Sequence, residues 1–267
     1  MLDPIIIIGI GEIGGVLARG LLRLGHPVYP VNRDMPLSTA HTLNPEPQAV
    51  ILAVGEADLQ ACLRDMPIPW RDRLVLLQNE LLPREWEPHG LSHPTILSVW
   101  FEKKKGMDSK PLLPSPVYGP HAGLICKALA AVDLPSREVE NMDTMLWELV
   151  RKNVYILTTN IAGLAVGGTV ETLWRDHQPL AREVASDVID LQEWLTGRTF
   201  DRERLIEGML EGFHGDPSHK CMGRSAPARL ARALGLADQA GLAVPTLREI
   251  ASTLNQPHSG PNPCPTH

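Results

Sequence analysis

The first twenty-four residues constrain this chain more than any other stretch. Pro4–Gly9 is an unbroken aliphatic run, the pattern of a strand buried on both faces of a parallel sheet. Glu12–Leu24 then repeats apolar residues at helical spacing (Ile13, Val16, Leu17, Leu21, Leu24), and Gly25 follows as a helix stop. Between strand and helix stands Gly9-Ile10-Gly11-Glu12-Ile13-Gly14, a GxGxxG. Each glycine has a separate steric reason: Gly9 makes the tight turn, Gly11 lets backbone approach a pyrophosphate, and Gly14 lets the helix pack closely on the strand. A pyrophosphate then sits at a helix N-terminus, where free N–H groups and the dipole favour anions. The bland alternative is a glycine-rich turn in an unrelated α/β domain; the strand before and the helix after favour dinucleotide binding.

The second strand, His26–Val31, ends in Val31-Asn32-Arg33-Asp34. Enzymes that select NAD usually carry an acid at this tip for the ribose diol. Arg33 instead offers a planar cation for a 2′-phosphate, so NADP (NADPH) is the expected cofactor, with Asp34 keeping NAD open. Further strands are expected at Ala49–Val54, Leu74–Leu77 and Thr95–Val99, with a helix around Asp58–Arg64. This alternation predicts an α/β fold: an N-terminal Rossmann-type doubly wound parallel sheet followed by an all-helical C-terminal domain. From about Asn141 the patterns are helical: Met142–Leu164, Val170–Gly197, Asp201–Phe213, Ala226–Ala240 and Thr246–Leu254. The expected division is an NADP-binding Rossmann domain over 1–140, a helical substrate and dimerisation domain over 141–254, and a disordered Pro-rich polar tail over 255–267.

Composition excludes several classes. Lys+Arg 25 against Asp+Glu 31 leaves −6, and the one basic cluster, Lys103–Lys105, reads as a solvated loop, so nucleic acid is not the expected partner. No aliphatic run approaches the ~20 residues that span a bilayer, and the N-terminus lacks the basic region of a secretory signal. Cys62, Cys126, Cys221 and Cys264 are scattered without a CxxC pair, and the spacing of His214, His219 and Cys221 fits no common zinc pattern. No disulfide scaffold and no metal site are expected, and a cytoplasmic location is.

Several motifs in order carry a resemblance. They are IIIIGIGEIGG, HPVYPVNR, AVILAV, LLQNE, VYGPH, LWELVRKNVYILTTN, GTVETL and AGLAVPTLREI. Together they resemble the ketopantoate reductase (2-dehydropantoate 2-reductase) family over most of residues 4–254, as a divergent member. The resemblance implies a lysine general acid, matched by Lys152. It also implies an asparagine at Asn160, and a further one at Asn79 that contacts cofactor and substrate. Anchoring on Trp147 instead would match Asn153 to a second family asparagine and replace the lysine by Leu149. Departures from the pattern are Glu80 for a glycine, Gly55-Glu56 where a lysine is frequent, Ile156 for an asparagine, and Ser225 near the position of the family's substrate-binding glutamate, where GRSAPAR contains no acid. A site without that polar partner should bind ketopantoate poorly, so a different carbonyl substrate is expected.

Lys152 also stands out without the resemblance. Met145, Leu149, Lys152, Ile156, Asn160 and Gly163 share one helix face. An amine on an apolar stripe tends to a lowered pKa and can donate a proton near neutrality; the alternative is a lysine whose head snorkels to water. Asn160 either meets substrate or caps a buried backbone group. Ser218, Lys220, Arg224 and Ser225 are further substrate candidates, while Trp100, Phe101, Trp147 and Trp174 read as core or interface. The expected activity is NADPH-dependent reduction of a small 2-oxo acid or related carbonyl, in a protein that forms a homodimer by analogy. The alternatives are a catalytically inactive NADP-binding regulatory or scaffold protein, or a β-hydroxy acid or opine-type dehydrogenase.

Overall fold

The computed structural model describes residues 2–255; Asn255, given above to the tail, instead ends the last helix, and the rest of the expected tail, 256–267, lies outside the described residues. One sheet dominates. Its strands are β1 (Ile5–Ile8), β2 (Val28–Val31), β3 (Ala49–Leu52), β4 (Leu74–Leu76), β5 (Thr95–Leu97), β8 (Ser115–Tyr118) and β9 (Ser136–Glu138), in the order β2-β1-β3-β4-β5-β8-β9. All pairs are parallel except β5 with β8. A short antiparallel hairpin, β6 (Phe101–Glu102) with β7 (Lys110–Pro111), lies between β5 and β8 in the chain.

Burial explains the strand sequences. Ile5, Ile7, Ile51, Val75 and Leu97 form a core with Val16, Leu17 and Leu21 of helix α1 (Glu12–Arg23) and with Ile125 and Leu129 of α4 (Ala122–Ala130). The intervening residues Ile6, Val50, Leu52, Leu74 and Leu76 are also fully buried, so both faces of the sheet are covered. Helices α2 (Leu37–Leu43) and α3 (Leu59–Arg64) complete the order in this half. Chain direction diverges from β1 to β2 on one side and β3 on the other, which sets a topological switch point at the carboxyl ends of β1 and β3.

After β9 the described chain is helical: α5 (Met142–Val166), α6 (Val170–Asp176), α7 (Gln178–Thr196), α8 (Arg202–Gly215), α9 (Ala226–Ala240) and α10 (Pro245–Asn255). The single helix expected over Val170–Gly197 is two helices parted at His177. Pro179 explains this: it has no N–H to bond the Arg175 carbonyl four residues back, its ring clashes with that carbonyl, and it suits the first turn of a new helix. Asp187 of α7 accepts the backbone N–H groups of Thr246 (2.8 Å) and Leu247 (3.1 Å), capping α10 from afar. The chain divides into two compact units. One runs to Tyr155 and resumes over Leu195–Asp216; the other holds Ile156–Trp194 and resumes at Pro217. Among the described residues no helix is long and apolar enough to cross a membrane.

Candidate cofactor and active site

The switch point carries a cavity of about 860 Å³, lined by Gly9, Ile10 and Gly11 after β1, by Asn32 and Arg33 after β2, and by Ala53–Gly55 after β3. The glycines behave as their separate reasons require. Gly9 has φ +90°, and a Cβ there would lie 2.6 Å from the Ala53 carbonyl oxygen. A Cβ on Gly14 would lie 2.1 Å from the Gly9 carbonyl oxygen. A Cβ on Gly11 would meet nothing within 4 Å, so the space in front of that residue is open to a ligand. Gly11 is also the N-cap of α1 and offers no side chain to cap it. The first intrahelical bond runs from Gly15 to Gly11, which leaves the N–H groups of Glu12, Ile13 and Gly14 for an anion. An open approach, unpaired helical donors and a deep cavity together suit the phosphates of a dinucleotide.

Arg33 lines the cavity and is 92% exposed at its side chain. Its guanidinium meets Asp58 at 3.4 Å across the opening. Exposed pairs of this kind contribute little, so Arg33 can turn toward a phosphate at small cost. Asp34 is not among the lining residues. Cys62 and Asp65 line the far wall with Asp58; burial first, then these two carboxylates, push the Cys62 thiol up from its ordinary value.

Asn79 follows β4 at the same edge. Gln78 fixes it there: its Nε2 donates to the Leu52 carbonyl at 2.6 Å and to that of Val54 at 3.3 Å, tying the end of β4 to the end of β3. Glu80 adopts φ +59°, the left-handed region that a glycine would occupy freely and that costs a non-glycine residue roughly 1–2 kcal/mol. The glycine-type geometry is therefore kept although the glycine is not.

Lys152 is half-buried on α5, and its ammonium lies 5.3 Å from the centre of the Trp100 ring. Trp100 is buried just beyond β5, so the lysine is anchored at the carboxyl side of the sheet. The Arg151 guanidinium lies 5.2 Å from the same ring centre. Glu148 (3.3 Å), Glu211 (2.6 Å) and the Gly208 carbonyl (2.9 Å) hold it there. Trp100 thus does more than fill core: its ring has two cations within cation–π distance.

The other candidates belong to the second unit. Asn160 is buried; its amide donates to the Cys221 carbonyl at 3.3 Å and its oxygen accepts from Arg229 at 2.9 Å. Lys220 bridges to Thr169 through backbone, and Ser218, Lys220, Arg224 and Ser225 are all exposed. Sequence reasoning missed Asp58, Cys62, Arg229 and the role of Trp100; position after a strand end was the available signal for the first two. Among the described residues no cluster suited to a metal ion occurs.

No protein-family model matches this sequence, and no curated protein matches it. Solved structures do. The chain is similar to 2-dehydropantoate 2-reductase from Methylococcus capsulatus, at 15% identity and a TM-score of 0.67, with 94% of this chain and 95% of that one covered. It is similar to the dimeric ketopantoate reductase from Staphylococcus aureus, at 16% identity and 0.64, covering 94% and 97%. A D-mandelate dehydrogenase in complex with NADH matches at 12% identity and 0.65, covering 93% and 96%. At such identities the likeness shows the fold, a Rossmann-type sheet followed by helices, which the motif resemblance had implied.

Proposed function

We propose that this protein is an NADPH-dependent oxidoreductase that reduces a small 2-oxo acid or related carbonyl. The observation that carries the reading is the glycine cradle: two glycines closed against backbone, one open onto the cavity, and Arg33 at the second strand's tip. The structural neighbours, 2-dehydropantoate 2-reductases and a D-mandelate dehydrogenase in complex with NADH, support the class.

The N–H groups of Glu12, Ile13 and Gly14 would hold the pyrophosphate and Arg33 the 2′-phosphate. Asn79, fixed by Gln78, would orient the nicotinamide end and the substrate. When bound, NADPH supplies the hydride that the carbonyl carbon accepts. Lys152 polarises the carbonyl oxygen and gives it the proton, so the C=O becomes CH–OH and the amine is left neutral. The cation–π contact with Trp100 holds the ammonium in one place before the substrate arrives. Asn160, Ser218, Lys220, Arg224 and Ser225 are the proposed substrate-side residues. A homodimer and a cytoplasmic setting complete the proposal.

Cofactor choice is tested at Arg33. Arg33→Ser is expected to weaken NADPH binding about 10- to 100-fold, the loss of one charged hydrogen-bonded contact, and to leave NADH within about twofold. Titration of NAD(P)H fluorescence measures both. Equal losses for the two nucleotides would remove Arg33 from the 2′-phosphate.

Cys62 reports on the adenosine half. Because its pKa is raised, maleimide labelling should become fast only at alkaline pH, above the range of an ordinary thiol. Bound NADPH is expected to suppress that labelling. Peptide mapping that finds Cys62 equally modified with and without saturating NADPH would place the nucleotide elsewhere.

A further inference from the structure

Lys103 belongs to a run of three lysines, yet it does not behave like its neighbours. Lys104 and Lys105 are exposed, whereas the Lys103 side chain is 16% exposed. Its ammonium is folded into the loop of the β6–β7 hairpin, donating to the carbonyl groups of Lys104 (3.0 Å) and Met107. Its remaining side meets the Glu12 carboxylate at 3.5 Å. Glu12 is the first residue of α1 and the middle of the glycine turn. An acid there interacts well with the helix dipole, but its carboxylate is also carried by one of the residues whose N–H groups are assigned to the phosphates. Two like charges at that spacing repel unless a cation lies between or beside them.

From this geometry we infer that Lys103 is a positioning residue of the dinucleotide site: it offsets the charge of Glu12 beside the N–H groups assigned to the pyrophosphate and ties the β6–β7 hairpin to the start of α1. The inference rests on the dinucleotide reading above. Three acceptors fix the ammonium, so little side-chain freedom is lost when a ligand binds.

The test is a set of calorimetric titrations of the full chain with NADPH and with adenosine 2′-monophosphate, which carries the 2′-phosphate but no pyrophosphate. Lys103→Met is expected to raise the NADPH dissociation constant about 10- to 100-fold and to leave the 2′-monophosphate within about twofold. Combining it with Glu12→Gln removes both charges, and the double variant is expected to bind NADPH within about threefold of the unaltered chain. A merely structural lysine would not be rescued in this way. The inference is overturned if Lys103→Met binds NADPH normally, if the double variant stays as weak as the single one, or if both ligands weaken together. An unaltered chain that binds adenosine 2′-monophosphate but no NADPH overturns the dinucleotide reading itself, and the inference with it.

Discussion

Replacing Lys152 by alanine is expected to lower turnover about 10²- to 10⁴-fold, the usual cost of losing a general acid. NADPH affinity should stay within about twofold, because no phosphate contact is assigned to this side chain. The geometry behind the expectation is specific. Lys152 is half-buried and lies over the Trp100 ring, while the adjacent Arg151 is held by Glu148, Glu211 and the Gly208 carbonyl. The arginine is therefore committed to packing and is a poor substitute donor. Steady-state rates with a panel of 2-oxo acids, set beside the NADPH titration, separate the two quantities. Unchanged turnover in Lys152→Ala would eliminate the lysine as proton donor. Loss of NADPH binding alongside turnover would mean that the substitution acts through the fold instead.

The second large effect is a contrast between two glycines three residues apart, Gly14 and Gly11. Gly14→Ala puts a methyl group against the Gly9 carbonyl oxygen, where a Cβ would lie 2.1 Å away. The atom it meets is backbone and cannot swing aside, so α1 must move off the turn that follows β1. Overpacking of this kind costs about 2–3 kcal/mol, which for a chain of this size lowers Tm by roughly 4–10 °C. Gly11→Ala meets nothing within 4 Å. The small loss of an N-cap preference is offset by reduced freedom of the unfolded chain, so Tm should hold within about 2 °C. Its methyl group nevertheless projects into the open approach, and NADPH binding should fall by at least about 100-fold. Calorimetric melting and NADPH titration of both variants decide the matter. A Gly11→Ala chain that binds NADPH normally would empty the cradle of its assigned ligand.

The glycine turn was legible in sequence because its causes are local: a strand buried on both faces, a helix at the correct phase, and three small residues between them. Arg33 was legible for the same reason, since a strand tip fixes where the next residues lie. The antiparallel end of the sheet was not. Ser136-Arg137-Glu138 forms β9 with no apolar pattern, and pairing with β8 alone makes it a strand. The helix break at His177 was announced by Pro179 but hidden by apolar residues that continue in phase on both sides. Lys103 was hidden by its own company, since three consecutive lysines read as one solvated run and only the tertiary fold turns the first of them inward. Trp100 was assigned to core on its type, correctly for burial, but no single-sequence pattern reports that its ring has the cations of Arg151 and Lys152 within cation–π distance.

The reversal of β8 relative to β5 has a consequence for how such a site can change. A sixth strand in the common direction would oblige the chain to return to the far rim through a crossover before it could pair. Here the excursion from Ser98 to Pro114 starts and finishes at the same rim, the one that bears the glycine turn. Residues can be added to or removed from that excursion without shifting any rung of the seven-stranded sheet, so the segment that reaches Glu12 through Lys103 is free to diverge while the scaffold beneath it is held constant.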